Sequence, residues 1–207
     1  MTDEVPAIPT DVLLAKYKPG RRDAYLEELY FQFGRYMLIS TSREGSLPPN
    51  LQGGWTQYDY TPWSGGYWHN INVQMNYWPA FNTNLAELFV PFVHYNEAYR
   101  KAAERNAIGY IRKNNPEALS DKEGENGWTI GTGATGYGIG APGGHSGPGT
   151  GGFTTKLYWD YYDFTRDETV LKEHVYPALE GMAKFLSKTL KPDGEGHLLA
   201  DPSSSPE

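Results

Sequence analysis

The chain has 207 residues, 39% of them apolar, which is enough to fill the core of one domain or most of one. Its 25 acidic and 18 basic residues leave a net charge of -7, which argues against a polyanion-binding face and makes nucleic acid an unexpected partner. Cysteine is absent, which excludes disulfides, a thiolate nucleophile and a Cys-based zinc site, and no stretch approaches the roughly 20 apolar residues of a membrane span, so no membrane partner is expected either.

Residues 1–20 read as a lead-in, and the opening MTDEVPAIPTDVL lacks the basic and then apolar pattern of a secretory leader, which leaves cytoplasmic and secreted locations both open. From Arg22 to Ser40, the positions Leu26, Leu29, Tyr30, Phe33 and Met37 recur at helical spacing. The segment Thr41 to Tyr67 carries Gly, Pro, Trp and Tyr instead of helix formers, and Trp55, Trp63 and Tyr67 predict an ordered, packed loop. A helix is expected from about Asn72, bent or broken at Pro79, where proline removes an amide donor. Leu85, Leu88, Phe89 and Phe92 open another that continues past Pro91 to about Lys113.

The segment Asp121 to Gly152 holds 13 of the 24 glycines and reads either as a flexible lid or as a strained loop that brings its backbone close to a ligand. Two further helices are expected: Phe153 to Phe164, with Leu157, Tyr161 and Phe164 aligned, and Thr169 to Leu190, with Val175, Leu179, Met182 and Leu186 on one face. About six helices in short-linked pairs, with no period-2 run long enough for a sheet, predict an all-α fold of antiparallel hairpins.

Aromatic residues make up 14% of the chain, with 16 Tyr and 6 Trp. Rings of that number suit core packing first, and beyond it a wall that stacks on the apolar faces of sugars. Residues 48–80 set the carboxamides Asn50, Gln52, Asn70, Asn72, Gln74 and Asn76 among such rings. Asn70 can be an ordinary helix N-cap, or the group can be a polar cluster that orients water or sugar hydroxyls. His94, His174 and His197 read as packed or surface residues, and His145, in the glycine-rich loop, is the histidine to watch. No zinc-binding helix spacing, phosphate loop or GxSxG is present, so neither a catalytic metal nor a cofactor is expected.

Leu47, Pro48, Asn50, Leu51, Gln52, Gly53 and Trp55, followed by Asn70, Ile71 and Asn72 and then by Gln74 to Ala80, resemble the active-site signature of glycoside hydrolase family 95, the α-L-fucosidase family. A second family signature, PSxSPE, is matched by Pro202 to Glu207, and residues 157–186 between the two are also similar to the family. The resemblance, which covers the chain from about Tyr25 onward, implies an inverting hydrolase on an (α/α)6 toroid that a β-sandwich precedes. It implies that Glu207 is the general acid, and that Asn70 and Asn72 hold the attacking water with the help of an Asp further along. It also implies that Trp68, His69, Trp78, Gln52 and Trp55 meet a terminal α-linked L-fucose or L-galactose of an oligosaccharide substrate.

Two departures bear on sugar recognition: family members commonly carry His where this chain has Trp68, and the stretch after Trp128 lacks the family's His and Asp. A toroid of twelve helices needs well over ~200 residues. Residues 1–207 are therefore expected to be a partial catalytic barrel, about half of it, inactive alone, with the β-sandwich and the second half outside them. A non-catalytic helical-hairpin module that binds glycan through Asn70, Asn72, Trp68 and Trp78 is the alternative reading.

Overall fold

The computed structural model describes residues 6–143 and 146–204. A short α1, Thr10–Lys16, leads to α2, Ala24–Thr41, whose first turn is capped by the Asp23 carboxylate accepting from the Leu26 amide at 3.0 Å. After the loop come β1, Tyr67–Trp68, and α3, Asn72–Asn82. Pro79 does not break α3, because it falls in the last turn, where the Thr83 amide closes on its carbonyl.

The helix expected from Leu85 to Lys113 is three pieces: a 3₁₀ turn Ala86–Phe89, α4 Val90–Ala98 and α5 Arg100–Asn114. The break lies at Tyr99, where backbone bonds to Tyr95 and from Ala103 continue the helical path and the hydroxyl donates to the Gly136 carbonyl at 2.8 Å. Helix α6, Thr150–Thr165, starts earlier than its apolar pattern, among glycines. Then follow α7 Glu168–Val170, a π turn Leu171–Val175 and α8 Tyr176–Thr189.

The fold is mainly helical, as expected, with two small sheets that the sequence did not announce. β1 pairs antiparallel with β2, Gly133–Thr135, which pairs with β3, Gly138–Ile139; β4, Leu190–Pro192, pairs with β5, Leu198–Ala200. Strands of two or three residues are too short to show a period of two in sequence.

The ring contacts fix how the helices run. Tyr77 meets Phe92 and Phe81 meets Phe89, so α3 and α4 are antiparallel. Met182 and Leu186 of α8 lie against Gly151 and Gly152 of α6, and α8 returns along α6. Between these hairpins the like members are parallel: Gln74 reaches Thr154 while Phe81 stacks on Tyr161, and Tyr110 packs on Phe185 while Asn115 binds the Lys188 carbonyl. The result is two layers of helices, α3 beside α6 and α5 beside α8. The core between them centres on Tyr77, Phe89, Phe92 and Tyr158, all fully buried. Burying a large apolar side chain contributes about 1.5–3 kcal/mol, and each favourable ring pair roughly 0.5–1.5 more. A polar pair in this core is satisfied: Ser42 donates to the Leu88 carbonyl and shares a 2.7 Å hydrogen bond with the Tyr77 hydroxyl.

The glycine-rich segment is no lid over residues 126–132. Trp128 and Ile130 are core residues, and the Trp128 indole donates to the Ala178 carbonyl at 3.0 Å beneath the Arg100 guanidinium, 4.3 Å from the ring centre. The close approach expected of its backbone is to the protein itself. A Cβ on Gly127, whose φ is +62°, would lie 1.8 Å from the Gly181 carbonyl oxygen, and one on Gly131 would lie 2.0 Å from that of Ala141.

Where β1 runs into α3, the chain is braced on both sides. The His69 amide donates to the Thr132 carbonyl at 2.7 Å, and the His69 carbonyl accepts from Gln74 Nε2 at 2.7 Å. Its imidazole is fully enclosed and stacked on Tyr95, with ring centroids 5.9 Å apart, and burial pushes its pKa down to about 4.

Two stability outcomes follow. Gly127→Ala should cost ~3 kcal/mol or more in urea unfolding, whereas Gly124→Ala, with a positive φ but open space around it, should cost about 1–2; equal costs would refute the wedge role of this segment. For His69, an imidazole of ordinary pKa 6.5 when unfolded and about 4 when folded stays neutral in the fold. Its contribution is therefore full above about pH 6.5 and is lost as pH falls toward 4, amounting to about 3 kcal/mol. Melting temperatures of the native chain and of His69→Phe across that window should diverge in slope, the variant being the flatter, and parallel curves would count against a buried neutral ring.

Candidate active site

Tyr67, Trp68, His69 and Asn70 alternate between buried and half-buried, as residues leaving a strand do. Tyr67 points inward, its hydroxyl donating to the Pro48 carbonyl at 2.7 Å. Trp68 covers Gly133, and its indole donates to the Trp63 carbonyl at 3.2 Å. The helix starts at Asn72 with Ile71 as its cap residue and no capping side chain, so the N-cap reading of Asn70 is corrected: the chain enters the helix one residue later.

The six carboxamides divide into two groups. Asn50 accepts from the Gln52 amide at 2.9 Å, Gln52 donates to the Pro62 carbonyl at 3.1 Å, and Asn76 reaches the Pro49 and Asn50 carbonyls at 3.3 Å. Gln74 holds His69 and, at 3.2 Å, the Thr154 hydroxyl. These four tie the framework. Among the described residues, the half-buried side chains of Asn70 and Asn72 alone have no protein hydrogen-bond partner in this set. They sit at a helix start, where unpaired amides leave the local field positive.

The remaining candidates are placed unevenly. Trp68, His69, Asn70 and Asn72 share one turn, and Gln52 joins them through the Pro62–Trp63 backbone. Trp55 instead packs on Tyr36 of α2 and Trp78 on Phe153 of α6, each remaining about half exposed. His69 is turned into the core, so direct sugar contact by its ring is corrected to a packing role: the strand alternation aims it away from the surface. Trp63, expected to pack the loop, is 63% exposed with φ +53°, and it is its carbonyl that ties the loop.

Pro202 to Ser204, the described part of the second signature, lie at the same loop-bearing end. Tyr110 donates to the Pro202 carbonyl at 3.0 Å, and Ser203 lies against Gly147, just before the start of α6, which Thr154 links to Gln74. Pro202 to Ser204 line a groove of about 550 Å³ with Arg105, Asn106 and Ser146. Glu207 and His145 lie outside the described residues. His174 binds Glu97 at 2.7 Å and His197 binds Asp193 at 2.8 Å, both away from the asparagine pair in sequence and contact. Asp193, Glu195 and His197, all exposed on the β4–β5 turn, bring their ligand atoms within 4.8 Å of one another and could together hold a metal ion. Among the described residues no helix is long and apolar enough to cross a membrane. Sequence reading placed Gln74 in the carboxamide cluster but gave it no role of its own; a Gln on the buried face of α3 was the available signal for a framework role.

Comparison with known proteins gives the family. The family model described as the glycosyl hydrolase family 95 catalytic domain matches residues 1–207. The chain is similar to "Probable alpha-fucosidase A" of Aspergillus niger, 37% identical over 96% of this chain and 25% of that protein, and to "Alpha-L-fucosidase 2" of Arabidopsis thaliana, 35% identical over 90% of this chain and 21% of that protein. A "Probable alpha-fucosidase A" of Aspergillus oryzae is 48% identical over 41% of this chain and 12% of its own. The chain thus spans about a quarter of the length of the curated relatives it matches most fully. With the family model covering every residue, the chain belongs to glycoside hydrolase family 95.

Proposed function

We propose that this chain supplies the water-holding part of the active site of an inverting glycosidase that removes a terminal α-linked L-fucose, or the related L-galactose, from an oligosaccharide. The observation that carries the reading is the division of the carboxamides. Asn70 and Asn72 are free and half-buried on a turn braced from both sides, while their neighbours are engaged in holding the framework. Inversion requires an acid on one face of the sugar and an activated water on the other. Glu207, three residues beyond Ser204, is the proposed acid, and the paired amide oxygens are the proposed seat of the water. An amide oxygen is a weak base, so a carboxylate from elsewhere in the whole protein completes the site in this reading.

The relatives' names support the substrate class. Stacked hairpins with like helices parallel support the toroid, as does the face of α2 on which Tyr30 and Phe33 stand 81% and 56% exposed, ready for further helices. Residues 1–207 then form a partial catalytic barrel.

In a full-length chain carrying these residues, proton NMR of 2′-fucosyllactose hydrolysis should show the β anomer of the released sugar first; initial release of the α anomer would exclude inversion. Asn70→Ala and Asn72→Ala should each lower kcat by roughly 100-fold and change KM by no more than a few-fold, since water is positioned mainly in the transition state. Effects on KM alone would make the amides binding groups, and glycan binding without any turnover would favour the non-catalytic module.

A further inference from the structure

We propose that Gln74 is the positioning residue of the asparagine pair: from the interior of the protein it fixes the turn from which Asn70 and Asn72 project. Gln74 is fully buried in the first turns of α3. Its amide nitrogen donates in two directions, to the His69 carbonyl at 2.7 Å and to the Thr154 hydroxyl at 3.2 Å. The first bond closes the loop of chain that contains Asn70, Ile71 and Asn72. The second ties that loop to α6, whose Thr154 hydroxyl in turn donates to the Thr150 carbonyl. One side chain therefore sets both the shape of the turn and its distance from the neighbouring hairpin.

The other ends of the turn are held as well. The His69 amide is bonded to Thr132, the His69 ring is stacked on Tyr95, and the Met75 amide bonds the Ile71 carbonyl at 2.7 Å. Without the Gln74 amide, the His69 carbonyl would be buried with no donor, in a place where the ring above it is already enclosed. Gln74 Oε1 and both ring nitrogens of His69 are buried without a protein partner, so this pocket tolerates little rearrangement that would expose a further unpaired group.

The inference rests on the reading of Asn70 and Asn72 as water-holding groups, and its test separates the two. Amide hydrogen exchange on this chain addresses the clamp alone. In Gln74→Met, which keeps the side-chain length and removes the donor, the His69 and Met75 amides should exchange about tenfold faster or more, while the core amide of Ile111 keeps its protection. A uniform rise across the chain would mean that Gln74 merely stabilises the fold, and no rise would mean that the turn holds itself; either overturns the proposal. Should Gln74→Met fail to fold, Thr154→Val decides, because it leaves Gln74 in place and removes one of its two acceptors: a smaller rise confined to the His69–Met75 turn supports the clamp, and none overturns it. Kinetics in a full-length chain then address the asparagines. Gln74→Met should lower kcat by about tenfold or more with KM within about threefold, and should add little loss to Asn70→Ala, since both act on the same water. Selective exchange with an unchanged kcat in Gln74→Met, where Asn70→Ala still lowers kcat, would overturn the positioning role of Gln74, whereas an unchanged kcat in Asn70→Ala as well would remove the catalytic reading of the pair.

Discussion

A turn that carries two free carboxamides into half-buried space has to satisfy its own backbone without water. The rest of this end of the molecule is organised by that constraint. A buried amide or carbonyl left unpaired costs about 1–3 kcal/mol, enough to drive local rearrangement in a domain of ordinary stability. Here the His69 amide is met by a strand from the glycine-rich segment and its carbonyl by a side chain from the helix that follows. The strand can reach it because Gly131 and Gly140 allow backbones to pass at distances no side chain would permit. The same side chain reaches α6 as well, because α3 and α6 run parallel, which brings both of their first turns to the same end.

That layering also explains why segments far apart in sequence meet. In a stack of antiparallel hairpins, every chain entry into one layer lies at one end, so the loops before α3 and α6 and the segment after β5 converge without any long-range guidance from the loops themselves. Trp128 does the complementary work in the other layer. Its indole fills the space that Gly181 leaves on α8, bonds the Ala178 carbonyl and lies under Arg100. The glycine-rich segment is therefore anchored at its start by an aromatic wedge and further on by strand pairing, which lets a stretch of low intrinsic preference hold one conformation.

Much of this was legible in the sequence, and the rest failed for identifiable reasons. Helix α2 and the pair α6 and α8 were readable from patterns that include the buried Leu26, Leu157, Val175 and Met182, although Tyr30 and Phe33 on the expected face of α2 and Phe164 at the end of α6 stand exposed. The one-residue interruption at Tyr99 was not readable, since nothing in the residues around it breaks the helical pattern. Nor were the strands, whose two or three residues carry no period. The glycine count signalled close approach correctly, but composition could not say whether a ligand or another backbone would be approached. Within the site, the motif carried the asparagines, whereas the separation of free amides from engaged ones needed coordinates: Asn72 and Asn76 are the same residue type one helical turn apart, and only the second has carbonyls within reach.

The departure at Trp68 has a geometric consequence that bears on sugar recognition in the proposed reading. Along β1 and the residues after it, side chains alternate, so moving an imidazole by one position moves it to the opposite face. The imidazole at position 69 is consequently stacked on Tyr95 in the core, and the half-buried position two residues before Asn70 holds an indole. An imidazole there could accept or donate one hydrogen bond to a sugar hydroxyl, and its charge would depend on pH near neutrality. The indole offers a donor only, already engaged with the Trp63 carbonyl, and an apolar ring face. A sugar beside Asn70 would meet stacking at that position instead of a polar contact. Discrimination among L-sugars would then rest less on a hydroxyl near position 68 and more on shape, with the asparagine pair unchanged.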